Sequence, residues 1–364
     1  MSWIDKLKNN ITTAEQLKSY LQLTESETEK LEHILAQFPM SIPLYYLSLI
    51  NWEDENDPIR KMCIPSIRET ELDGSFDTSG EGKNTVIKGT QHKYQQTAMI
   101  LSTNQCAMYC RHCFRKRMVG LSESEVARQF DEMMQYIAAH KEISNILISG
   151  GDAFLNSNQT IERYLKNFSE MNHIDFIRFG TRTPVVLPER ITEDMQLQGI
   201  LKKYSKKKQI IVVTHFNHPN EVTEQSKQAV QVLLNMGIPV RNQTVLLKGV
   251  NDDPQIISTL LRHLTKMGVQ PYYVFQCRPV KGVKNQFQVP LEAGYEIVEK
   301  AKNMVNGIAK SFRYVLSHET GKIEVLGKIA SGEMLFKYHQ AQLKENAGKI
   351  FTKKLEAREC WLSL

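Results

Sequence analysis

The residues between 97 and 277 alternate between short apolar runs and longer segments with helical periodicity. Six of these runs are rich in Ile, Val, Leu, Phe and Tyr, and polar or glycine-bearing residues follow each of them. Strands that alternate with helices favour a parallel sheet covered by helices, and six successive units favour an open or partial (β/α) barrel. The predicted strands are residues 98–104, 145–151, 175–181, 209–216, 240–249 and 271–277.

The remainder of the chain is arranged around this region. Residues 1–67 contain amphipathic segments with capping signals and are predicted to form an amino-terminal helical region. Residues 68–96 are polar with little periodicity, which indicates a linker or an excursion over the surface. Residues 97–310 are then the barrel core, and residues 311–364 are a β-rich carboxy-terminal extension. We therefore predict an α/β protein, whose core has its clearest helical segments at residues 122–140 and 220–237.

Charge and hydropathy exclude several classes of protein. The net charge is +6, from 46 basic and 40 acidic residues, which is too small to indicate nucleic-acid binding but suits an anionic ligand. The chain has no run of about 18 apolar residues, so we expect no membrane span. Its first ten residues lack the apolar core of a signal peptide, which favours a cytoplasmic protein. Its six cysteines are then expected to be ligands or core residues rather than disulfides.

Three of these cysteines, Cys106, Cys110 and Cys113, lie close together just after the first predicted strand. Thiolates select zinc, copper or iron–sulfur clusters. A structural zinc ion needs four ligands, whereas a cube of four irons held by three cysteines leaves one iron open to a small chelating ligand. A zinc site with a remote fourth ligand and buried thiols without a metal are the alternatives at this point.

The CxxxCxxC spacing after a first barrel strand resembles the radical S-adenosylmethionine (SAM) enzymes. This resemblance implies a [4Fe–4S] cluster on the three cysteines and SAM at the open iron. One electron from an external donor of the flavodoxin or ferredoxin type then cleaves SAM to a 5′-deoxyadenosyl radical. The next predicted strand ends in a stretch that resembles the one binding the SAM amino group, formed here by Ser149, Gly150, Gly151 and Asp152.

A closer resemblance, to the lysine 2,3-aminomutase family, extends from about residue 5 to residue 330. Enzymes of this family move an amino group between adjacent carbons and use the cluster, SAM and pyridoxal phosphate (PLP) together. The resemblance therefore implies a 1,2-amino shift on an amino acid. The segments that carry it are "CAMYCRHCFRKR", "LISGGDAF", "GTRTPVVLPERIT", "THFNHPNE", "NQTVLLKGVND" and "PYYVFQC".

Family roles can be placed on individual residues. Arg115 matches the arginine that holds the substrate carboxylate, a role that suits a guanidinium fork. Lys93 stands where the family has an arginine on the PLP phosphate, and Tyr94 follows it as in the family. Lys322 is the candidate for the lysine that forms the internal Schiff base with PLP.

The chain also departs from the family pattern in the PLP region. Only "HETGK" stands where the family has a glycine-rich loop, and in another alignment of this segment Lys322 has no Schiff-base role. A second phosphate-contacting arginine of the family is Thr97 here. The use of PLP therefore stays open. No zinc site is expected, because the family's carboxy-terminal zinc segment is missing and Asp253 replaces another of its zinc cysteines.

The substrate positions differ from those of lysine mutases as well. Arg278 and Ser317 match the two aspartates that those enzymes bring to the substrate ε-ammonium group. A cation and a hydroxyl give no electrostatic reason to bind lysine's side chain, and a buried Arg278 needs an anionic partner. We therefore predict an amino-acid substrate other than lysine, with an acidic side chain favoured.

His215, Asn242 and Gln243 lie on or after later strands and are expected to contact SAM or PLP. Two other functions remain open from the sequence. One is a PLP-independent radical SAM enzyme that performs epimerisation or peptide modification, and the other is a non-catalytic iron–sulfur scaffold. We expect a small amino-acid substrate, no nucleic-acid or membrane partner, and a possible homo-oligomer formed through the amino-terminal helices.

Overall fold

The computed structural model describes residues 2–364. Its amino-terminal region is helical, as the capping signals predict. Ser2, Thr13 and Thr24 are each the N-cap of a helix, and each forms a capping box with the third residue of that helix. The five helices of this region are α1 (Trp3–Lys8), α2 (Ala14–Leu21), α3 (Glu25–Gln37), α4 (Leu44–Leu47) and α5 (Pro58–Cys63).

A single sheet of twelve strands, arranged in sequence order, forms the body of the protein. Its strands are β1 (Thr85–Ile87), β2 (Thr90–Tyr94), β3 (Thr97–Thr103), β4 (Asn145–Gly150), β5 (Phe176–Gly180), β6 (Gln209–Thr214), β7 (Val240–Leu246), β8 (Gln270–Gln276), β9 (Arg313–His318), β10 (Gly321–Lys328), β11 (Met334–Ala341) and β12 (Ile350–Lys353). Strands β3 to β9 pair in parallel, and the strands on either side of them pair antiparallel. The six predicted strands are therefore confirmed, each within a few residues.

Helices connect the parallel strands. They are α6 (Phe130–Ala139), α7 (Asn158–Ser169), α8 (Thr183–Val186), α9 (Glu189–Thr192), α10 (Met195–Ser205), α11 (Glu224–Asn235), α12 (Pro254–Lys266), α13 (Lys284–Phe287) and α14 (Leu291–Asn303). The helix predicted over residues 122–140 begins only at Phe130. The preceding segment is held along β3 instead, because the Ala127 amide donates to the Leu101 carbonyl at 2.8 Å.

The sheet corrects one expectation and confirms another. Residues 68–96 are predicted to be a linker or an excursion over the surface, but they contribute β1 and β2 to the sheet. The carboxy-terminal extension is β-rich as predicted, with β9 to β12, and its first strand pairs in parallel with β8. Short strands with few apolar residues give little periodicity, so these pairings depend on neighbours that are distant in sequence.

The sheet curls so that its first strands come close to β9 and to the end of β11. The Lys93 ammonium on β2 donates to the His318 carbonyl at the end of β9, at 2.7 Å. Beside it, the Gln342 amide donates to the Asn84 side chain at 2.9 Å. These contacts close the barrel, and residues alternate between its interior and the helices outside. The carboxyl ends of parallel barrel strands, where functional residues of such folds gather, are occupied by the cysteine loop and its neighbours.

Candidate active site

Cys106, Cys110 and Cys113 lie on the loop after β3 as partly buried free thiols. Burial raises the pKa of Cys113 to about 11 and raises that of Cys106 as well, so both favour a bound cation in order to become thiolates. Among residues 2–364, no three His, Cys, Asp or Glu side chains converge where one metal ion could be held. Three soft thiol donors on one loop suit the irons of a cluster, in which the fourth iron takes its ligand from outside the protein.

Arg182, which follows β5, joins the cysteine loop to the helical region. Its Nη1 lies 2.7 Å from the Cys110 sulfur, and its Nε donates to the His215 carbonyl at 3.0 Å. Its Nη2 pairs with the buried Glu221 carboxylate at 2.5 Å, which also accepts from the Tyr46 hydroxyl at 2.7 Å. This places a guanidinium beside one of the three sulfurs.

The two glycines at the end of β4 pack against the start of the cysteine loop. Gly150 has a φ of +112°, and a Cβ added to Gly151 would lie 2.3 Å from the Gln105 carbonyl oxygen. The Gly151 amide donates to the Thr103 carbonyl at 2.6 Å. The close approach that these two glycines permit is made to the chain just before Cys106. These glycines therefore set the path of the loop.

Asp152 is buried, and its carboxylate is hydrogen-bonded to residues that follow β5. Its carboxylate accepts from the Thr181 hydroxyl and from the Arg182 amide, both at 2.6 Å, and from the Phe154 amide at 2.9 Å. Burial nevertheless raises the pKa of this carboxyl, since its hydrogen bonds only partly offset the loss of solvent. Asp152 thus positions the loop that carries Arg182.

The residues on the later strands that are predicted to contact SAM or PLP differ in how far their side chains are already hydrogen-bonded within the protein. The Asn242 amide is fully buried and bonds to both the amide and the carbonyl of Phe216, at 2.7 and 3.0 Å. This side chain holds the loop after β6, and its contact with SAM or PLP stays a prediction. His215 is less buried, and its pKa falls to about 4 because of burial and the nearby Arg182 charge, which a hydrogen bond from the imidazole to the Gln243 backbone only partly opposes.

Arg115 is buried and already holds a carboxylate. Its Nη2 and Nε bond to the Glu81 Oε1 at 2.8 and 3.0 Å, and its Nη1 donates to the Ser149 hydroxyl and the Gly150 carbonyl. Burial favours the protonated form of Glu81, but Arg115 and Arg117 outweigh it and lower the pKa of this carboxyl to about 2. The predicted substrate clamp is therefore able to bind a carboxylate, and an internal one occupies it.

Lys322, near the start of β10, projects between two tyrosines. Its Nζ lies 5.2 Å from the ring centroid of Tyr94 and 5.3 Å from that of Tyr273, and it donates to the Gln340 side chain at 2.7 Å. Burial is the main reason that the pKa of Lys322 falls to about 7. The nearby cations that lower it further are Arg178, Lys93 and Arg278.

Lys93 lies in the same group but is more strongly engaged. Its Nζ donates to the carbonyl oxygens of Ser79 and His318, at 3.0 and 2.7 Å. Burial lowers the pKa of Lys93 to about 8 and raises that of the adjacent Tyr94. Lys93 therefore joins β2 to the end of β9 as well as adding positive charge.

Arg278 follows β8 and faces the cysteine loop. Its guanidinium carbon lies 4.1 Å from the ring centroid of Phe114, the residue after Cys113. Its Nη2 donates to the Ser317 hydroxyl at 2.8 Å, while its Nη1 is buried with no hydrogen-bond partner among residues 2–364. The two positions predicted to face the substrate side chain are thus direct neighbours, and one of them has an unused charged donor.

Comparison with known proteins agrees with this geometry. A model of the radical SAM superfamily matches residues 100–260. A protein of Aquifex aeolicus named "Putative L-lysine 2,3-aminomutase" is 40% identical over 347 residues, which are 95% of this chain and 92% of that protein. The L-lysine 2,3-aminomutase of Acetoanaerobium sticklandii is 41% identical over 84% of this chain and 73% of its own length. The glutamate 2,3-aminomutase of Clostridioides difficile is 39% identical over 84% of this chain and 71% of its own length.

The chain belongs to the lysine 2,3-aminomutase family. It is a radical SAM enzyme of the isomerase class, and family membership implies a [4Fe–4S] cluster and SAM. The donor set fits the cluster, because three soft thiols lie on one loop and the Arg182 guanidinium lies beside the Cys110 sulfur. No helix among residues 2–364 is long and apolar enough to cross a bilayer.

Sequence reasoning did not single out three charged residues of this family member's site. Glu81 lies in the polar segment that we took for a linker, so its pairing with Arg115 has no local signal. Arg182 and Glu221 lie within the quoted strand-end segments, which could have drawn attention to them. Their importance appears only when the ion pair is seen beside Cys110.

Proposed function

We propose that this enzyme moves an amino group between adjacent carbons of an amino acid whose side chain is acidic, and that Lys322 anchors PLP. The observation that carries the proposal is the group formed by Lys322, Lys93, Tyr94 and Arg278 next to the cysteine loop. When bound, the cluster and SAM supply hydrogen abstraction, and PLP supplies a π system through which nitrogen can migrate.

Lys322 has the properties that an amine needs in order to attach a carbonyl cofactor. A lysine amine is nucleophilic only when neutral, and burial among other cations favours the neutral form. With a pKa of about 7, a large fraction of Lys322 is neutral at physiological pH. The Gln340 side chain and the Tyr94 and Tyr273 rings hold this amine in one position within the barrel.

Arg278 selects the substrate side chain in this proposal. A buried N–H group of a guanidinium without an acceptor costs stability, so the unused Nη1 favours a ligand that brings an anionic oxygen. The neighbouring Ser317 hydroxyl adds a second polar contact. Lysine's ammonium would be repelled here, whereas a side-chain carboxylate would be bound.

Arg115 binds the α-carboxylate, with Glu81 as the group that the substrate must displace or share. The pairing with Glu81 keeps the guanidinium oriented toward Ser149 and Gly150 before substrate arrives. An external electron donor of the flavodoxin or ferredoxin type and a homo-oligomer remain predictions.

The test is anaerobic reconstitution of the enzyme with iron, sulfide, SAM and PLP, followed by incubation with L-glutamate, L-aspartate or L-lysine under reducing conditions. We expect 5′-deoxyadenosine and a β-amino acid from a dicarboxylic amino acid, and a Lys322→Ala variant should yield no amino shift. Arg278→Gln should raise KM for that substrate, while the exposed Arg262→Gln serves as the matched control. Efficient turnover of L-lysine, unaffected by Arg278→Gln, would contradict the proposal.

A further inference from the structure

Two arginines on the inner side of the barrel have charged donors that the protein leaves unused. Arg178 is the third residue of β5, and Arg241 is the second residue of β7. The Nε atoms of both are buried and have no hydrogen-bond partner in the described chain. Arg178 donates through Nη2 to the Asn145 side chain at 2.5 Å, and Arg241 lies over the Tyr272 ring, with its guanidinium carbon 5.2 Å from the centroid. We call these two residues the arginine pair.

The surroundings of the arginine pair contain cations and tyrosines. No carboxylate within residues 2–364 forms an ion pair with either arginine. Burial is the main reason that the pKa of Arg178 is lowered, and Arg241 lowers it further. The Lys322 Nζ lies 5.3 Å from the Tyr273 centroid, and the Tyr273 and Tyr272 centroids are 4.1 Å apart. This amine and Arg241 therefore lie against neighbouring rings. Arg178 is also the largest charged contributor to the lowered pKa of Lys322. Buried cations without a counter-ion are energetically unfavourable, so a bound anion would stabilise these two arginines.

The position of the arginine pair in the barrel indicates which anion it would bind. The family's second phosphate arginine is Thr97 here, and the Thr97 hydroxyl is bonded to the same Asn145 side chain that accepts from Arg178. Lys93, which stands for the family's first phosphate arginine, already donates to two carbonyl oxygens. The side chains at the matching positions are thus neutral or engaged, whereas the arginine pair beside them has free donors.

We propose that Arg178 and Arg241 form a binding site for the phosphate group of a phosphate monoester, and that this group is the phosphate of PLP when PLP is attached to Lys322. Planar guanidinium groups bind phosphate oxygens in pairs, and a dianion balances two buried positive charges. In this chain, Arg178 and Arg241 therefore replace the arginine lost at position 97. The inference rests on the proposed use of PLP.

The test measures binding rather than turnover. The cluster-reconstituted enzyme is titrated with PLP, pyridoxal, inorganic phosphate and L-glutamate by calorimetry, for the wild type, Arg241→Gln, Arg241→Lys and the exposed control Arg262→Gln. We expect wild type to bind PLP at least tenfold more tightly than pyridoxal. Loss of one charged hydrogen bond should weaken PLP and phosphate binding by about 10- to 100-fold in Arg241→Gln. Arg241→Lys should keep part of the affinity, and Arg262→Gln should keep all of it.

A labelling experiment on the wild type keeps the proposal testable if Arg241→Gln fails to fold. Phenylglyoxal modification of arginines is read by peptide mass spectrometry, and inorganic phosphate should protect Arg241 and Arg178 but not Arg262. Equal binding of PLP and pyridoxal by wild type, unchanged PLP binding by Arg241→Gln, or weakening of L-glutamate binding alone would each overturn the site. Phosphate binding that depends on Arg241, without any borohydride-reducible link to Lys322, would support the site while refuting the use of PLP.

Discussion

Replacement of Glu81 by glutamine should cost the protein much of its stability, because this carboxylate is the counter-ion of two buried cations. The Glu81 side chain is 5% exposed and contacts Arg115 at 2.8 Å and Arg117 at 2.6 Å. Glutamine keeps the shape of the side chain and one acceptor but removes the charge. Arg115 and Arg117 would then be left with a neutral partner in a site that water reaches poorly.

The magnitude follows from the pKa of the carboxyl group. That pKa falls from 4.5 to about 2 in the folded protein, a lowering of about 2.5 units. At 1.36 kcal/mol per unit, the charged form of Glu81 contributes about 3 kcal/mol to the free energy of unfolding. Because the folded pKa is depressed, this contribution is complete above about pH 4.5 and is lost as the pH falls toward 2.

The assay is urea unfolding of wild type and Glu81→Gln, followed by circular dichroism between pH 8 and pH 3. We expect a difference of about 3 kcal/mol that is constant from pH 8 to about pH 5 and shrinks below about pH 4.5. The matched control is Glu125→Gln, since Glu125 pairs with the same Arg117 at 2.6 Å but is 34% exposed, and its loss should cost less than about 1 kcal/mol. Equal losses in the two variants, or a Glu81→Gln loss that persists unchanged at pH 3, would refute the reasoning.

Two further predictions concern Lys322 and the glycines of β4. The rate of PLP attachment should rise with pH and reach half of its plateau near pH 7, because Lys322 reacts in its neutral form and its pKa is about 7. The visible absorbance of the PLP adduct measures this rate. A midpoint above pH 9 would contradict the assignment of Lys322. Gly151→Ala should destabilise the protein by about 1–3 kcal/mol in urea unfolding, because the added Cβ meets the Gln105 carbonyl at 2.3 Å and displaces the cysteine loop. Gly199→Ala on α10 is the control, since no atom lies within 4 Å of the new Cβ. Its higher helix propensity should raise the stability by up to about 1 kcal/mol. A similar change in both variants would show that the cysteine loop does not require Gly151.

Short-range sequence patterns predicted most of the strands and helices. The six apolar runs match β3 to β8 because they are visible in a short window of sequence, although β5 and β7 carry Arg178 and Arg241 on their inner side. The helix predicted over residues 122–140 was too long at its start, because Ala127 bonds to Leu101 rather than to its own turn. Helical periodicity does not register that kind of competition from a neighbouring strand.

Long-range pairing accounts for what the sequence could not reveal about the site. Glu81 lies 34 residues from Arg115 in a segment without periodicity, and Arg182 lies 72 residues from Cys110. The local pattern of Asn242 and Gln243 at a strand suggested ligand contacts, yet the Asn242 amide is used by Phe216. Hydrogen-bond partners of polar side chains depend on which loops meet, and that is a property of the curled sheet.

The sequence by itself determined the alternation of strands and helices, the three cysteines after the first core strand and the membership of the family, because each depends on residue types at short spacing. Only the tertiary structure decided which charges face one another: Glu81 on Arg115, Arg182 on Cys110, and the unpaired Arg178, Arg241 and Arg278 around Lys322. The physical reason is that ion pairing and burial act through space, and closure of the barrel joins segments that no local pattern connects.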